Sequence, residues 1–200
     1  MKVIGLTGGS GAGKSRIAKE LENYGASIID CDLVYRGLFD ACAQMRREIS
    51  TRFPESVKNQ EISRRILAGI VFSDRGALDD LNKITHKYVL EQVSRRLTEE
   101  RSAGRELCVI EAIALFESGA DVYCDIAAGV TAGRGIRIER IMERDGIDQM
   151  AAAARIDAQR DDEFYRERCD ILIINNGNER DIKTGVCRII ETLRERTDSI

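Results

Sequence analysis

One stretch near the amino terminus constrains the fold more than any other: Gly8-Gly9-Ser10-Gly11-Ala12-Gly13-Lys14-Ser15, a G-x-x-x-x-G-K-[ST] sequence. Its flanks matter as much as its letters. Lys2 to Thr7 is short and apolar and reads as a buried strand. Ser15 to Tyr24 puts Ile17, Ala18 and Leu21 on one helical face before Gly25 stops it. A strand, a glycine turn and a helix, in that order, build a phosphate cradle. The glycines let the backbone turn so that several N–H groups face one anion, and the helix start adds the positive end of its dipole. Gly9, Ser10, Gly11, Ala12, Gly13, Lys14 and Ser15 are the expected nucleotide-binding residues. Lys14 offers a cation to the β- and γ-phosphates of ATP, and the Ser15 hydroxyl offers a ligand to Mg²⁺.

Further along, Ala26 to Asp30 reads as a second strand, so the chain opens as an α/β protein. From Leu33 to about Arg105 helical spacing dominates, with apolar residues three and four apart in Ile62 to Phe72 and Leu78 to Leu97. Strands resume at Leu107 to Ile110, Asp125 to Val130 and Ile171 to Ile174. Arg134 to Arg144, Asp148 to Arg168 and Glu179 to Arg196 read as helices. The expected architecture is one α/β domain. Its parallel sheet core (residues 1–32 and 105–200) is flanked by helices, with a helical acceptor-binding insertion over about 33–104 and a lid over about 147–168.

Two groups of charged residues stand beside this frame. Asp30-Cys31-Asp32 falls where the second strand ends, and ligands of open parallel sheets bind beyond the carboxyl ends of strands. In an extended backbone the two carboxylates would face opposite ways, so Asp32 is expected as the base that accepts a hydroxyl proton and Asp30 as its support. A helix cap and an Asx turn is the plainer alternative. Arg134, Arg137, Arg140 and Arg144 share a broad helical face, and Arg155 and Arg160 follow. About half of these are expected simply to be solvated. Arg140, Arg144 and Arg155 are the candidates for screening charge on a transferred group. Glu111, at the end of the third strand, either orients Mg²⁺ and its waters or is a plain strand-end carboxylate.

Composition removes several function classes. Lys and Arg total 31 against 34 Asp and Glu, a net charge of −3, which disfavours a general nucleic-acid coat. The apolar run Val109 to Phe116 is interrupted by Glu111 and is far short of the ~20 residues a membrane span needs. The six cysteines, Cys31, Cys42, Cys108, Cys124, Cys169 and Cys187, form no C-x-x-C pair and read as reduced thiols of a cytoplasmic protein. His86 is the single histidine, so a multi-histidine metal site is excluded.

The whole pattern resembles the dephospho-coenzyme A kinases. I-G-L-T-G-G-S-G-A-G-K-S (Ile4 to Ser15) and I-I-D-C-D-L-V-Y-R (Ile28 to Arg36) are similar to that family's opening. N-K-I-T-H (Asn82 to His86), L-F-E-S-G (Leu115 to Gly119), I-E-R-I-M-E-R-D-G (Ile138 to Gly146), A-R-I-D-A-Q (Ala154 to Gln159) and C-D-I-L-I-I-N-N-G (Cys169 to Gly177) come next in the family's order. The resemblance implies a P-loop kinase fold and ATP-dependent phosphorylation of the ribose 3′-hydroxyl of dephospho-coenzyme A. It implies a catalytic set of Asp32, Lys14 and Arg140, and ATP contacts from Arg144, Arg155 with Gln159 in the lid, and Asn175 near the adenine end. Acceptor contacts fall on Asp32, Arg36, His86 and Phe116. The chain departs from the family pattern at Glu111, Ile113, Lys87, Arg160 and the turn Thr131 to Gly135, which touch loop stiffness and the acceptor side. The alternatives are a kinase for a nucleoside or nucleoside monophosphate and a nucleotide-dependent switch without an acceptor. Oligomeric state stays open.

Overall fold

The structure is a computed structural model and describes residues 1–198. The chain divides into two compact units, Met1–Asp30 with Leu97 onward, and Cys31–Arg96.

The first unit is built on a five-stranded parallel sheet. Its strands are β1 (Lys2–Thr7), β2 (Ser27–Asp30), β5 (Leu107–Glu111), β6 (Ile126–Thr131) and β7 (Ile171–Ile174), in the spatial order β2-β5-β1-β6-β7. Strands buried on both faces read as apolar runs rather than alternations, and V-I-G-L and I-A-A-G-V-T are of this kind. β1 is central. The chain places β2 at one edge, fills the gap beside β1 with β5, and then crosses to β6 and β7 on the other side, so the switch point of the sheet lies at the carboxyl end of β1, where the glycine loop begins. Helix α1 (Lys14–Asn23) buries Ile17, Ala18 and Leu21, and α10 (Glu179–Asp198) buries Ile182, Val186, Ile189 and Leu193. Both faces join Ile4, Leu6, Val109, Ile126, Ala128, Val130, Ile171 and Ile173 in one core. A smaller core of Ile141, Ala152 and Ile156 joins α7 (Arg134–Asp145) to α8 (Gln149–Asp157).

The expected lid helix Asp148 to Arg168 is two helices. α8 ends at Asp157, and α9 (Asp162–Arg168) starts afresh because the Asp161 carboxylate accepts from the Phe164 N–H at 2.9 Å. Gln159 and Arg160 are left in the bend.

The second unit is mainly helical, with α2 (Cys31–Ala41), α3 (Ala43–Arg52), α4 (Arg64–Ser73) and most of α5 (Arg75–Ser102). Phe39, Met45, Ile49, Phe53, Leu67, Leu81 and Tyr88 form its core. Two details depart from the sequence reading. Ile62 is not helical but lies in a two-stranded hairpin, β3 (Val57–Lys58) and β4 (Glu61–Ile62), turned by Asn59 and Gln60 at positive φ. Strands of two residues are too short to show a period. The D-x-D turn is also not extended, because α2 begins at Cys31 directly after β2, so Asp32 lies in the first helical turn.

Ile189 is fully buried in the sheet-side core and lies in α10, well along the chain from the glycine loop. Ile189→Ala is expected to cost about 2–5 kcal/mol of stability, read as a lower urea midpoint with an unchanged slope.

Candidate functional site

The glycine loop runs from the end of β1 into α1, and its backbone is held from outside. The Arg140 guanidinium donates through Nη1 to the carbonyls of Gly11 (3.1 Å), Ala12 (3.3 Å) and Asn175 (3.1 Å). Asn175 Nδ2 donates to the Ala12 carbonyl at 2.9 Å, and Arg137 Nε donates to the Ser10 carbonyl at 3.0 Å. In a trans peptide the C=O and the following N–H point opposite ways. Holding the carbonyls of Ser10 and Ala12 therefore aims the N–H groups of Gly11 and Gly13 to the other side, the arrangement of an anion nest. The Ala12 N–H closes a turn onto the Gly9 carbonyl at 3.2 Å. Gly8 must be glycine, since its φ is +138° and a Cβ there would come within 2.1 Å of the Val130 carbonyl oxygen.

Lys14 is buried, and its ammonium folds back to the Gly8 carbonyl at 2.9 Å. Ser15 Oγ donates to Glu111 Oε1 at 2.8 Å. Glu111 ends β5, is 8% exposed, and stands opposite Leu6 of β1 on one side and Asp30 of β2 on the other. A hydroxyl and a carboxylate in contact are hard oxygen donors, which suits Mg²⁺. Among the described residues no group of three or more His, Cys, Asp or Glu could hold a metal alone, so the remaining ligands would have to come from nucleotide and water.

Asn175 is positioned by the sheet. Its N–H extends the ladder to the Thr131 carbonyl at 2.7 Å, and its Oδ1 accepts from the Gly177 N–H at 3.3 Å, which leaves Nδ2 aimed at the loop. Burial and the nearby Arg16 charge push the Arg140 pKa below its usual value, yet an arginine stays charged in a protein.

Arg144 Nη2 reaches Ser10 Oγ at 3.3 Å, while its Nε and Nη2 each meet Asp145 at 2.8 Å. Arg155 pairs with the same Asp145, so one carboxylate ties α7 to α8. The Arg144 hydrogen bond, then the Arg144 and Arg155 charges, outweigh desolvation and hold the Asp145 carboxyl at about 2. Gln159, in the bend after α8, accepts through Oε1 from the Ser10 N–H at 2.7 Å.

Phe116, in the short helix α6 (Leu115–Ser118), meets the Phe164 ring edge-on at 6.0 Å. Asp32, Arg36 and His86 belong to the second unit. Asp32 and Arg36 are exposed and four apart on α2, hence on one face, and His86 is half-buried in α5. The sequence reading overlooked Arg137 and Asp145. Arg137 was one of four arginines on a single face, and its spacing from Arg140 was the signal that it too faces the loop.

The model of the dephospho-CoA kinase family matches residues 2–181. The chain belongs to the dephospho-CoA kinase family. A dephospho-CoA kinase of Moorella thermoacetica is 38% identical over 181 residues, covering 89% of this chain and 85% of the relative. A Thermus thermophilus protein of known crystal structure is 30% identical with a TM-score of 0.77, covering 96% of this chain and 97% of its own. The solved dephospho-CoA kinase of Campylobacter jejuni, 24% identical, shares the fold with a TM-score of 0.65, covering 98% of this chain and 100% of its own. The expected P-loop kinase fold is therefore the observed one, and membership of the family makes the chain a phosphotransferase. No helix among the described residues is long and apolar enough to cross a membrane.

Gly8→Ala is expected to weaken ATP binding at least about tenfold by titration calorimetry, since the added methyl meets fixed backbone. The Asp145 carboxyl lies below its ordinary value of 3.8, so its contribution to holding α8 is complete above that value and lost as pH falls through about 2. Between pH 5 and 9 this group should leave α8 unchanged, whereas Asp145→Asn at pH 7 should speed amide hydrogen exchange across Gln149–Asp157.

Proposed function

We propose that the chain transfers the γ-phosphoryl group of ATP to the ribose 3′-hydroxyl of dephospho-coenzyme A, giving coenzyme A and ADP, the last step of coenzyme A synthesis. The observation that carries this reading is the nest of outward-held carbonyls above a buried Lys14, with the Ser15–Glu111 pair at the strand end beside it. Such a cradle suits a triphosphate tail.

In this reading the loop residues Gly9 to Ser15 bind the phosphates. Lys14, with Arg140 behind it, stabilises the charge spread over the γ-phosphoryl oxygens. Ser15 would ligate Mg²⁺, with Glu111 orienting its water shell. The metal, when bound, would neutralise part of the charge of the triphosphate. Asp32 accepts the proton of the 3′-hydroxyl. The hydroxyl oxygen then bonds to the γ-phosphorus as the bond from phosphorus to the β–γ bridging oxygen breaks, and ADP leaves with that electron pair. The assignment of Asp32 is supported by its place in the sequence: it follows Asp30, the last residue of β2, by two residues, and ligands of open parallel sheets bind beyond the carboxyl ends of strands.

Arg144 and Arg155 contact the nucleotide when they exchange Asp145 for phosphate, and Asn175 lies toward the adenine end. Arg36, His86 and Phe116 contact the acceptor. The net charge of −3 supports small-molecule partners over nucleic acid. The six cysteines are all free thiols, which supports a reducing, cytoplasmic setting.

A coupled ADP-release assay tests the reaction. Dephospho-coenzyme A should be phosphorylated far faster than adenosine or AMP, and equal rates with AMP would replace this acceptor by a nucleotide. Asp32→Asn should lower kcat by about 10²- to 10⁴-fold and leave the Kd for ATP within about threefold. Unchanged turnover would remove the base assignment.

A further inference from the structure

Among the described residues three lysine, arginine, aspartate or glutamate side chains are buried: Lys14, Glu111 and Arg137. The first two have roles in the proposed reaction, and Arg137 has none. A buried guanidinium is costly unless its donors are met, and an ion pair at close range is the usual way to meet them. Arg137 is 6% exposed, and its nearest acceptors are two neutral oxygens, the Ser10 carbonyl (Nε, 3.0 Å) and Gln159 Oε1 (Nη2, 3.3 Å). Its carboxylate partner, Asp162, stands off at 3.8 Å from Nη1 and is half exposed. The charge of Arg137 is therefore directed at the glycine loop more than at a counter-ion. It also lies against the loop backbone: a Cβ on Gly9 would come within 2.2 Å of Nη2.

We propose that Arg137 is a positioning residue for the phosphate loop, acting through the Ser10 peptide and through Gln159, and that it sets affinity for the nucleotide rather than the rate of transfer. The Ser10 carbonyl it holds fixes the Ser10–Gly11 peptide plane, and so the direction of the Gly11 N–H. The Gln159 oxygen it holds also accepts the Ser10 N–H at 2.7 Å. One guanidinium thus orders the N–H and the C=O of a single loop residue, the N–H by way of a lid side chain. Arg140 holds the next two carbonyls, so removing Arg137 frees one end of the loop and leaves the rest in place. This inference rests on the kinase reading, and direct ATP binding separates the two.

The experiment uses the full chain and measures the Kd for ATP by calorimetry, KM for both substrates, kcat, and the thermal midpoint, for wild type, Arg137→Ala, Arg137→Lys, Gln159→Ala and the double variant Arg137→Ala with Gln159→Ala. Arg137→Ala should raise the Kd and KM for ATP about ten- to hundredfold, with kcat within about threefold and the KM for dephospho-coenzyme A within about twofold. Arg137→Lys, which keeps one donor and the charge, should recover part of that loss. Gln159→Ala should weaken ATP binding by less. The double variant should lose less than the product of the singles, because both act on Ser10. An unchanged Kd for ATP, a loss confined to kcat, or a parallel loss of affinity for both substrates tracking the thermal midpoint would each overturn the proposal. If Arg137→Ala does not fold, Arg137→Lys decides: a Kd for ATP raised at least about fivefold at an unchanged midpoint supports it, and a wild-type Kd overturns it. Failure of the wild type itself to bind ATP would sink the kinase reading instead.

Discussion

The site rests on how three successive peptides are turned. The carbonyls of Ser10, Gly11 and Ala12 are held from behind by Arg137, Arg140 and Asn175, and the planarity of the peptide then dictates where the following N–H groups point. A glycine-rich loop by itself has many conformations of similar energy, since glycine gives up more freedom on ordering than any other residue. Here that loss is offset before any ligand arrives, by charge-assisted hydrogen bonds from groups that are themselves fixed. The sheet supplies that fixity. β6 pairs with β1 and β7 with β6, so the helix after β6 and the residue after β7 both arrive beside the loop that leaves β1.

The same arrangement reconciles an acidic chain with an anion site. The net charge is −3, but Lys14, Arg137 and Arg140 converge on eight residues of backbone. Burial of Lys14 and Arg137 shields their charges from salt more than surface arginines are shielded. Arg144 and Arg155 are different. They are partly exposed and share Asp145, and surface pairs of this kind exchange partners at little cost. The structure thus separates buried cations that hold the loop from more exposed cations paired with a carboxylate.

Much of the frame was legible in order along the chain. β1 and β7 lie where apolar runs closed by Gly8-Gly9 and by Asn175-Asn176-Gly177 put them, and α7 begins at Arg134 as its arginine spacing requires. The misreadings share a cause: each turned on one hydrogen bond or a few residues. The break between α8 and α9 depends on a single cap by Asp161, and the β3–β4 hairpin on two residues at positive φ. The helical start of α2 depends on the chain turning into a helix as it leaves β2, which the D-x-D letters do not specify. Among the arginines, period alone placed four on one face. It could not say that Arg137 is buried against Ser10 while Arg134 faces Asp157 at the surface.

The sequence alone determined the local chemistry: a strand, a glycine turn and a helix with Lys14 and Ser15 at its start can form a cradle from neighbouring residues, because those contacts span a few positions. The tertiary structure decided which side of that cradle accepts an anion and what stands behind it. Arg137, Arg140, Gln159 and Asn175 lie more than a hundred residues from the loop they hold. Their meeting depends on strand order and register, which no short-range pattern encodes.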